Sequence, residues 1–266
     1  MHKTWALIRA NWLAATSYKL GFAFSFGSLV FSVVPLFFIS GALQKTMAGV
    51  IQGQGDQYFA FLIVGLLSLN LVSATIYALP TGLQTATSTG TLEALLATPT
   101  SISALLSGLS GYAILLSFVR GMVMLIAAGL IGAHVAWMKI GVSIPIIALI
   151  VLAHLPIAIV TAAMVLAFRT TGPLPQLLMM ASAFLGGVYY PATAIPGWLQ
   201  SLSAFIPMTY GLAALRVVLL DGRSIAAVWQ QLSILLTFTV VALVVSVALF
   251  QAALRYARRA GNLAQY

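Results

Sequence analysis

The feature that most constrains this chain is a succession of apolar runs of about twenty residues that follow one another along nearly its whole length. A helix rises about 1.5 Å per residue, so roughly twenty apolar residues are what a hydrocarbon core about 30 Å thick requires. Of 266 residues, 62% are hydrophobic and only 6% are charged, more apolar surface than one soluble core could hide. The pattern predicts an all-α polytopic membrane protein.

Six transmembrane helices are expected, over about 21–43, 58–79, 103–131, 142–168, 175–190 and 229–251. Pro35 predicts a bend in the first, and Pro80 an end to the second. Residues 44–57 hold Gln44, Lys45, Gly49, Gly53, Gly55 and Asp56 and read as a loop, as do residues 132–141. Together, 21–266 form one transmembrane domain. Residues 1–20 precede it, with Trp5, Ile8 and Trp12 at helical spacing. Two readings fit them: an interfacial helix anchored by tryptophan, or a frayed basic tail. Lys3, Arg9 and Lys19 are spread through this stretch rather than clustered before an apolar core, so no cleavable signal peptide is expected.

Beyond Pro173 the pattern changes. The run over 175–190 would span only about 24 Å as a helix, and the piece from Met208 to Leu220 only about 20 Å. That second piece has Pro207 at its start and Asp221-Gly222 at its end, which is helix punctuation. Residues of about 191–222 are therefore expected to form re-entrant helices at the outer face. Charge supports this layout. With six spans and both termini cytoplasmic, the inner side holds Lys3, Arg9, Lys19, Arg169, Arg255, Arg258 and Arg259, and the outer side Lys45, Lys139, Arg216 and Arg223. A seventh crossing over 208–220 would throw the Arg255–Arg259 cluster outside, against the positive-inside rule.

Little chemistry is available within the spans. The three acidic residues, Asp56, Glu93 and Asp221, all fall outside them, whereas an ion-coupled carrier needs a buried ionisable relay. Arg120 is the one charge deep in a span. It either lines a pathway for a polar or anionic group or is a structural residue bonded to helix carbonyls or to Asn70. His134 and His154 are far apart and cysteine is absent, so no metal site is expected. No serine sits in a nucleophile elbow, and no P-loop motif is present, so no catalytic residue and no cofactor site is expected in this chain. The net charge of +9 forms no dense basic stripe and does not point to nucleic acid.

The run Ser88-Thr89-Gly90-Thr91-Leu92-Glu93-Ala94-Leu95-Leu96-Ala97-Thr98-Pro99 is too short and polar to cross a bilayer. Thr91 can cap a helix, and Glu93 falls in its first turn, where a carboxylate favours the helix dipole. Leu92, Leu95 and Leu96 form one apolar ridge, and Pro99 stops the helix. Such a ridge can face the bilayer, the protein's own helices or a partner's groove.

This run, together with a second set of motifs, resembles the membrane subunits of type 2 ABC exporters. The second set is Tyr190-Pro191, Ile195-Pro196-Gly197-Trp198-Leu199, Ile206-Pro207-Met208-Thr209-Tyr210-Gly211, Leu215-Arg216 and Asp221-Gly222. The resemblance covers essentially the whole chain. It implies that about 90–98 is a coupling helix docking on a separate ABC ATPase through Gly90, Thr91, Leu92, Glu93, Leu95, Leu96 and Pro99. It also implies an outer gate including Tyr190, Pro191, Pro196, Trp198, Pro207, Tyr210 and Arg216. ATP and Mg would reside in that ATPase, and the permease would dimerise with a second copy or a related permease in the cell (cytoplasmic, inner) membrane. Unlike many members, this chain has no basic residue between Pro80 and Ser103. The expected function is export of a drug-like amphipathic molecule or a lipid-linked glycan. The alternatives are an ion-coupled carrier or channel, and a non-transporting membrane scaffold for an ATPase. Tyr189, Tyr190, Trp198 and Tyr210 suit either a sugar-stacking surface or an interfacial belt.

Overall fold

The computed structural model describes residues 17–88, 90, 102–168 and 170–259, together with Arg9, Trp12 and Leu13. The expected coupling helix, apart from Gly90, and most of the expected N-terminal helix lie outside the described residues. Among the described residues every regular element is helical.

Among the described residues, five helices are long and apolar enough to cross a bilayer: α1 (Lys19–Met47), α2 (Tyr58–Ser88), α3 (Ile102–Ile131), α4 (Ile140–Phe168) and α8 (Trp229–Arg259). Between α4 and α8 come three shorter helices, α5 (Leu174–Phe184), α6 (Gly197–Ser203) and α7 (Pro207–Leu219). The pair α6 and α7 meets at 91°, the geometry of a broken span or a re-entrant loop. The chain is thus an all-α, multi-pass membrane protein.

Apolar packing explains the arrangement. Helix α2 is central and lies against α3 and α4, while α8 runs along α4. The main core joins Ile63, Leu67 and Leu71 of α2, Leu125 of α3, Ile146 and Ile150 of α4 and Leu212 and Leu215 of α7. A second cluster joins Leu79 and Leu83 of α2 to Ala158 and Ala162 of α4 and Phe250 of α8. That cluster accounts for one difference from the sequence reading. Pro80 does not end the second helix, which continues to Ser88. Proline removes one backbone hydrogen bond, and the side chains on either side of it, Leu79 and Leu83, are packed tightly enough to hold the helix through the gap.

A second difference concerns the run over 175–190, which is helical only to Phe184, a length of about 16 Å. Gly186-Gly187 follows, with Gly187 at φ +84°, a left-handed conformation that glycine adopts without steric cost. From there the backbone turns inward, and Gly186, Gly187 and Val188 are buried. The Gly187 and Val188 carbonyls have left the helix ladder and need other partners.

Candidate functional site: an arginine staple under the bent hairpin

Arg216 on α7 supplies those partners. Its side chain is 1% exposed. Nη1 donates to the Gly187 carbonyl at 2.7 Å, and Nη2 donates to Val188 at 2.9 Å and to Phe61, on α2, at 3.1 Å. Nη1 also reaches Gln54 Oε1 in the first loop at 3.5 Å. The guanidinium carbon stacks 3.3 Å from the centroid of the Phe61 ring. Carbonyl dipoles and a ring face thus supply the counter-charge. A guanidinium suits this role because its donors fork in one plane while its face remains free for a ring.

Helix α2 is shaped to receive this staple. A Cβ on Gly65 would sit 2.5 Å from the Val188 carbonyl oxygen and 2.8 Å from Arg216 Nη2, so only glycine permits the approach. Tyr58 donates its hydroxyl to the Tyr189 carbonyl at 3.0 Å, and its ring stacks on Phe61 at 6.0 Å. Three elements distant in sequence, the start of α2, the turn that follows α5 and α7, are fastened at one point.

The hairpin is also stitched internally. Ser203 Oγ donates to the Leu185 carbonyl at 2.7 Å, and Thr209 Oγ1 donates to the Ser203 carbonyl at 2.9 Å. Gln200 Nε2 donates to Ile195 at 2.8 Å, and Tyr210 OH to Ala204 at 3.0 Å. Two further glutamines tie the loops around it. Gln57 donates to Gly132 and accepts from the His134 amide, and Gln44 donates to Asp56 and accepts from the Tyr58 amide. The Ala136 amide donates to Leu219 at 2.8 Å, closing the third loop on the end of α7.

At that edge lies Asp221, whose carboxyl is raised above the usual carboxylate range. Burial is the main cause. Arg223 opposes it, the charge of Asp56 adds to it, and a hydrogen bond with the Gly55 backbone opposes it again. Two of the three acidic residues in the chain therefore meet at this loop cluster.

Of the residues singled out in the sequence, Pro191, Pro207 and Arg216 are buried, and Tyr190 and Tyr210 are partly buried. Pro196 is exposed, and Trp198 stands 70% exposed at the start of α6. Gln54, Tyr58, Phe61, Gly65 and Gly187 were not singled out. The adjacent Gly186-Gly187 pair was the one visible signal for them.

Arg120 lies elsewhere, in a cleft of about 440 Å³ between α1, α2 and α3. Ser25, Ser28, Asn70, Ser73, Tyr112 and Ser117 share its walls. Asn70 Nδ2 donates to the Leu66 carbonyl, and Ser117 Oγ donates to the Asn70 carbonyl. Arg120 Nε is buried with no hydrogen-bond partner among the described residues.

A multi-pass helical bundle with a bent helical hairpin and a polar cleft between its spans defines a membrane permease type of protein. The chain belongs to the ABC-2 type transporter family, whose sequence model matches residues 2–220. It is similar to Nodulation protein J of Rhizobium leguminosarum bv. viciae, with 28% identity over 252 residues covering 92% of this chain and 93% of the relative. It is also similar to Nodulation protein J of Rhizobium meliloti (strain 1021), with 25% identity covering 92% of each chain. Membrane subunits of this family are generally non-catalytic and work with an ABC ATPase partner.

Proposed function

We propose that this chain is one half of a dimeric transmembrane pathway through which a separate ATPase, loaded with ATP and Mg, drives export of an amphipathic substrate. The observation behind this reading is a polar stripe on α2. Asn70, Ser73, Tyr77, Thr81 and Gln84 recur at intervals of three or four residues, and none of them is buried. Residues so spaced share one helix face. Hydrocarbon disfavours such a face, so in a membrane-spanning helix it belongs against water or against a second subunit. Gln176 of α5 continues the stripe sideways, accepting a hydrogen bond from the Tyr77 hydroxyl at 2.9 Å. Arg120 opens on the cleft bounded by Asn70 and Ser73 and is placed to meet an anionic group.

On this reading the outer hairpin, residues 189–222, closes the exit, and Arg216 joins it to α2 so that the two move as one body. The coupling helix over about 90–98 takes the stroke from the ATPase. Both termini face the cytoplasm across the inner membrane, because seven basic residues then lie inside against four outside. The substrate is a drug-like amphipath or a lipid-linked glycan. Purification with an ABC ATPase, reconstitution in vesicles and measurement of substrate-stimulated ATP hydrolysis test the proposal. The expected result is a stoichiometric complex whose hydrolysis one of the two substrate classes accelerates. A chain that conducts or carries without an ATPase would overturn it, as would one that binds an ATPase without any transport.

A further inference from the structure

Helix α5 is too short to cover its neighbours, and it leaves a groove of about 800 Å³. Val160 of α4, Leu178 of α5, Phe238 and Val241 of α8, and Ile206 at the elbow between α6 and α7 line it. The hydroxyls on the α8 wall do not face an occupant as free donors. Ser233 donates to Gln230, Thr237 to Ser233, and Ser246 to Leu243, each a carbonyl of the same helix. The groove therefore offers mainly carbon along the depth of two membrane-spanning helices, α4 and α8.

Charge lies below it on the same helix face. Helix α8 contains no proline and runs unbroken to Arg259. Eighteen residues make about five helical turns, so Arg255 falls on the same face as the groove residue Thr237. Arg255 is exposed. It lies nine residues beyond Ser246, about 13 Å along the axis, where the apolar groove gives way to the membrane surface.

We propose that this groove is a binding site for an anionic phospholipid of the leaflet at the Arg255 end. One acyl chain runs between α5 and α8 as far as Val241, about 21 Å along the axis from Arg255, and the phosphate is held by Arg255. Apolar walls with internally satisfied hydroxyls select the chain, and Arg255 selects a negative headgroup over a zwitterionic one. An acyl chain seated there wedges between α5 and α8 and supports the short α5.

The test uses the full chain in nanodiscs of equal phosphatidylglycerol and phosphatidylcholine, with a trace of either lipid carrying a diazirine on its acyl chain. After irradiation, cross-linked peptides are mapped by mass spectrometry. The phosphatidylglycerol probe is expected to label peptides around Leu178 and Phe238–Val241 several-fold more than the phosphatidylcholine probe does. Arg255→Gln should abolish that preference. Val241→Trp should remove the labelling while leaving peptides around Phe31 on α1 labelled as before. If Val241→Trp does not fold, Arg255→Gln decides alone. Equal labelling by both probes, a preference that survives Arg255→Gln, or groove peptides cross-linked to a second copy of the chain would each overturn the proposal.

Discussion

The guanidinium of Arg216 lies 3.3 Å from the ring centroid of Phe61 while its Nη2 donates to the carbonyl of that same residue at 3.1 Å. One residue of α2 is therefore gripped twice, by its side chain and by its backbone, from a helix that follows it by more than 150 positions. Removing the grip leaves the carbonyls of Phe61, Gly187 and Val188 buried without those donors. A buried group that loses a charged donor costs about 1.5–3 kcal/mol. Arg216→Met is expected to destabilise the protein by about 3–5 kcal/mol, read as a large drop in unfolding temperature in detergent. Arg216→Lys should recover only part of this, because an ammonium cannot fork toward three carbonyls and stack on a ring together.

Gly65 sets the spacing on the α2 side. Gly65→Ala places a methyl group 2.5 Å from the Val188 oxygen, and helix α2 or the segment after α5 has to shift. The expected cost is about 1–3 kcal/mol. Gly27→Ala on α1 is the matched control, since a Cβ there meets nothing within 4 Å. Thermal unfolding of the two variants side by side should show a loss for the first and none for the second.

Asp221 gives a pH dependence whose sign follows from burial. Its folded pKa is raised above the ordinary 3.8, so the fold binds the proton more tightly than the unfolded chain does. Its contribution is fully favourable below about pH 3.8 and is lost as pH rises through the raised value. Asp221→Asn is therefore expected to raise the unfolding temperature slightly at neutral pH, with the gain vanishing in acid. A scan of unfolding temperature against pH for the two proteins checks this.

Arg120 separates a pathway role from a structural one. Its Nε is buried with no partner among the described residues, so Arg120→Gln removes no hydrogen bond at that atom and is expected not to lower the unfolding temperature. Transport of an anionic substrate should fall at least several-fold, with the loss in apparent affinity. A variant that transports normally but unfolds early would identify the residue as structural.

Glu93 is the one fixed charge between Pro80 and Ser103. Glu93→Lys is expected to lower substrate-stimulated ATP hydrolysis by the complex while membrane insertion stays intact. Unchanged coupling would remove this residue from the ATPase contact.

Much of the architecture was legible along the chain because a bilayer imposes a length and a composition on each crossing. Five long helices, the Pro207 start of α7 and its Asp221-Gly222 end could all be read in that way. Pro80 misled, because proline reports a lost hydrogen bond but says nothing about whether Leu79 and Leu83 are packed well enough to hold the helix. The run over 175–190 misled for the opposite reason. Its apolar character continues through Val188, but the Gly186-Gly187 pair lets the backbone leave the helix as soon as Arg216 can take its carbonyls.

By itself the sequence determined that this protein crosses a membrane several times, that it holds no P-loop motif, and that Asp56 and Asp221 stay outside the spans. Those properties follow from residue types, which act one segment at a time. The tertiary structure alone decided that Arg216 meets Phe61, that Gly65 must lack a side chain, and that a short α5 opens a groove against α8. Each of these depends on which backbone carbonyls and which helix faces are brought within a few ångströms of one another, and no local pattern in the chain encodes that distance.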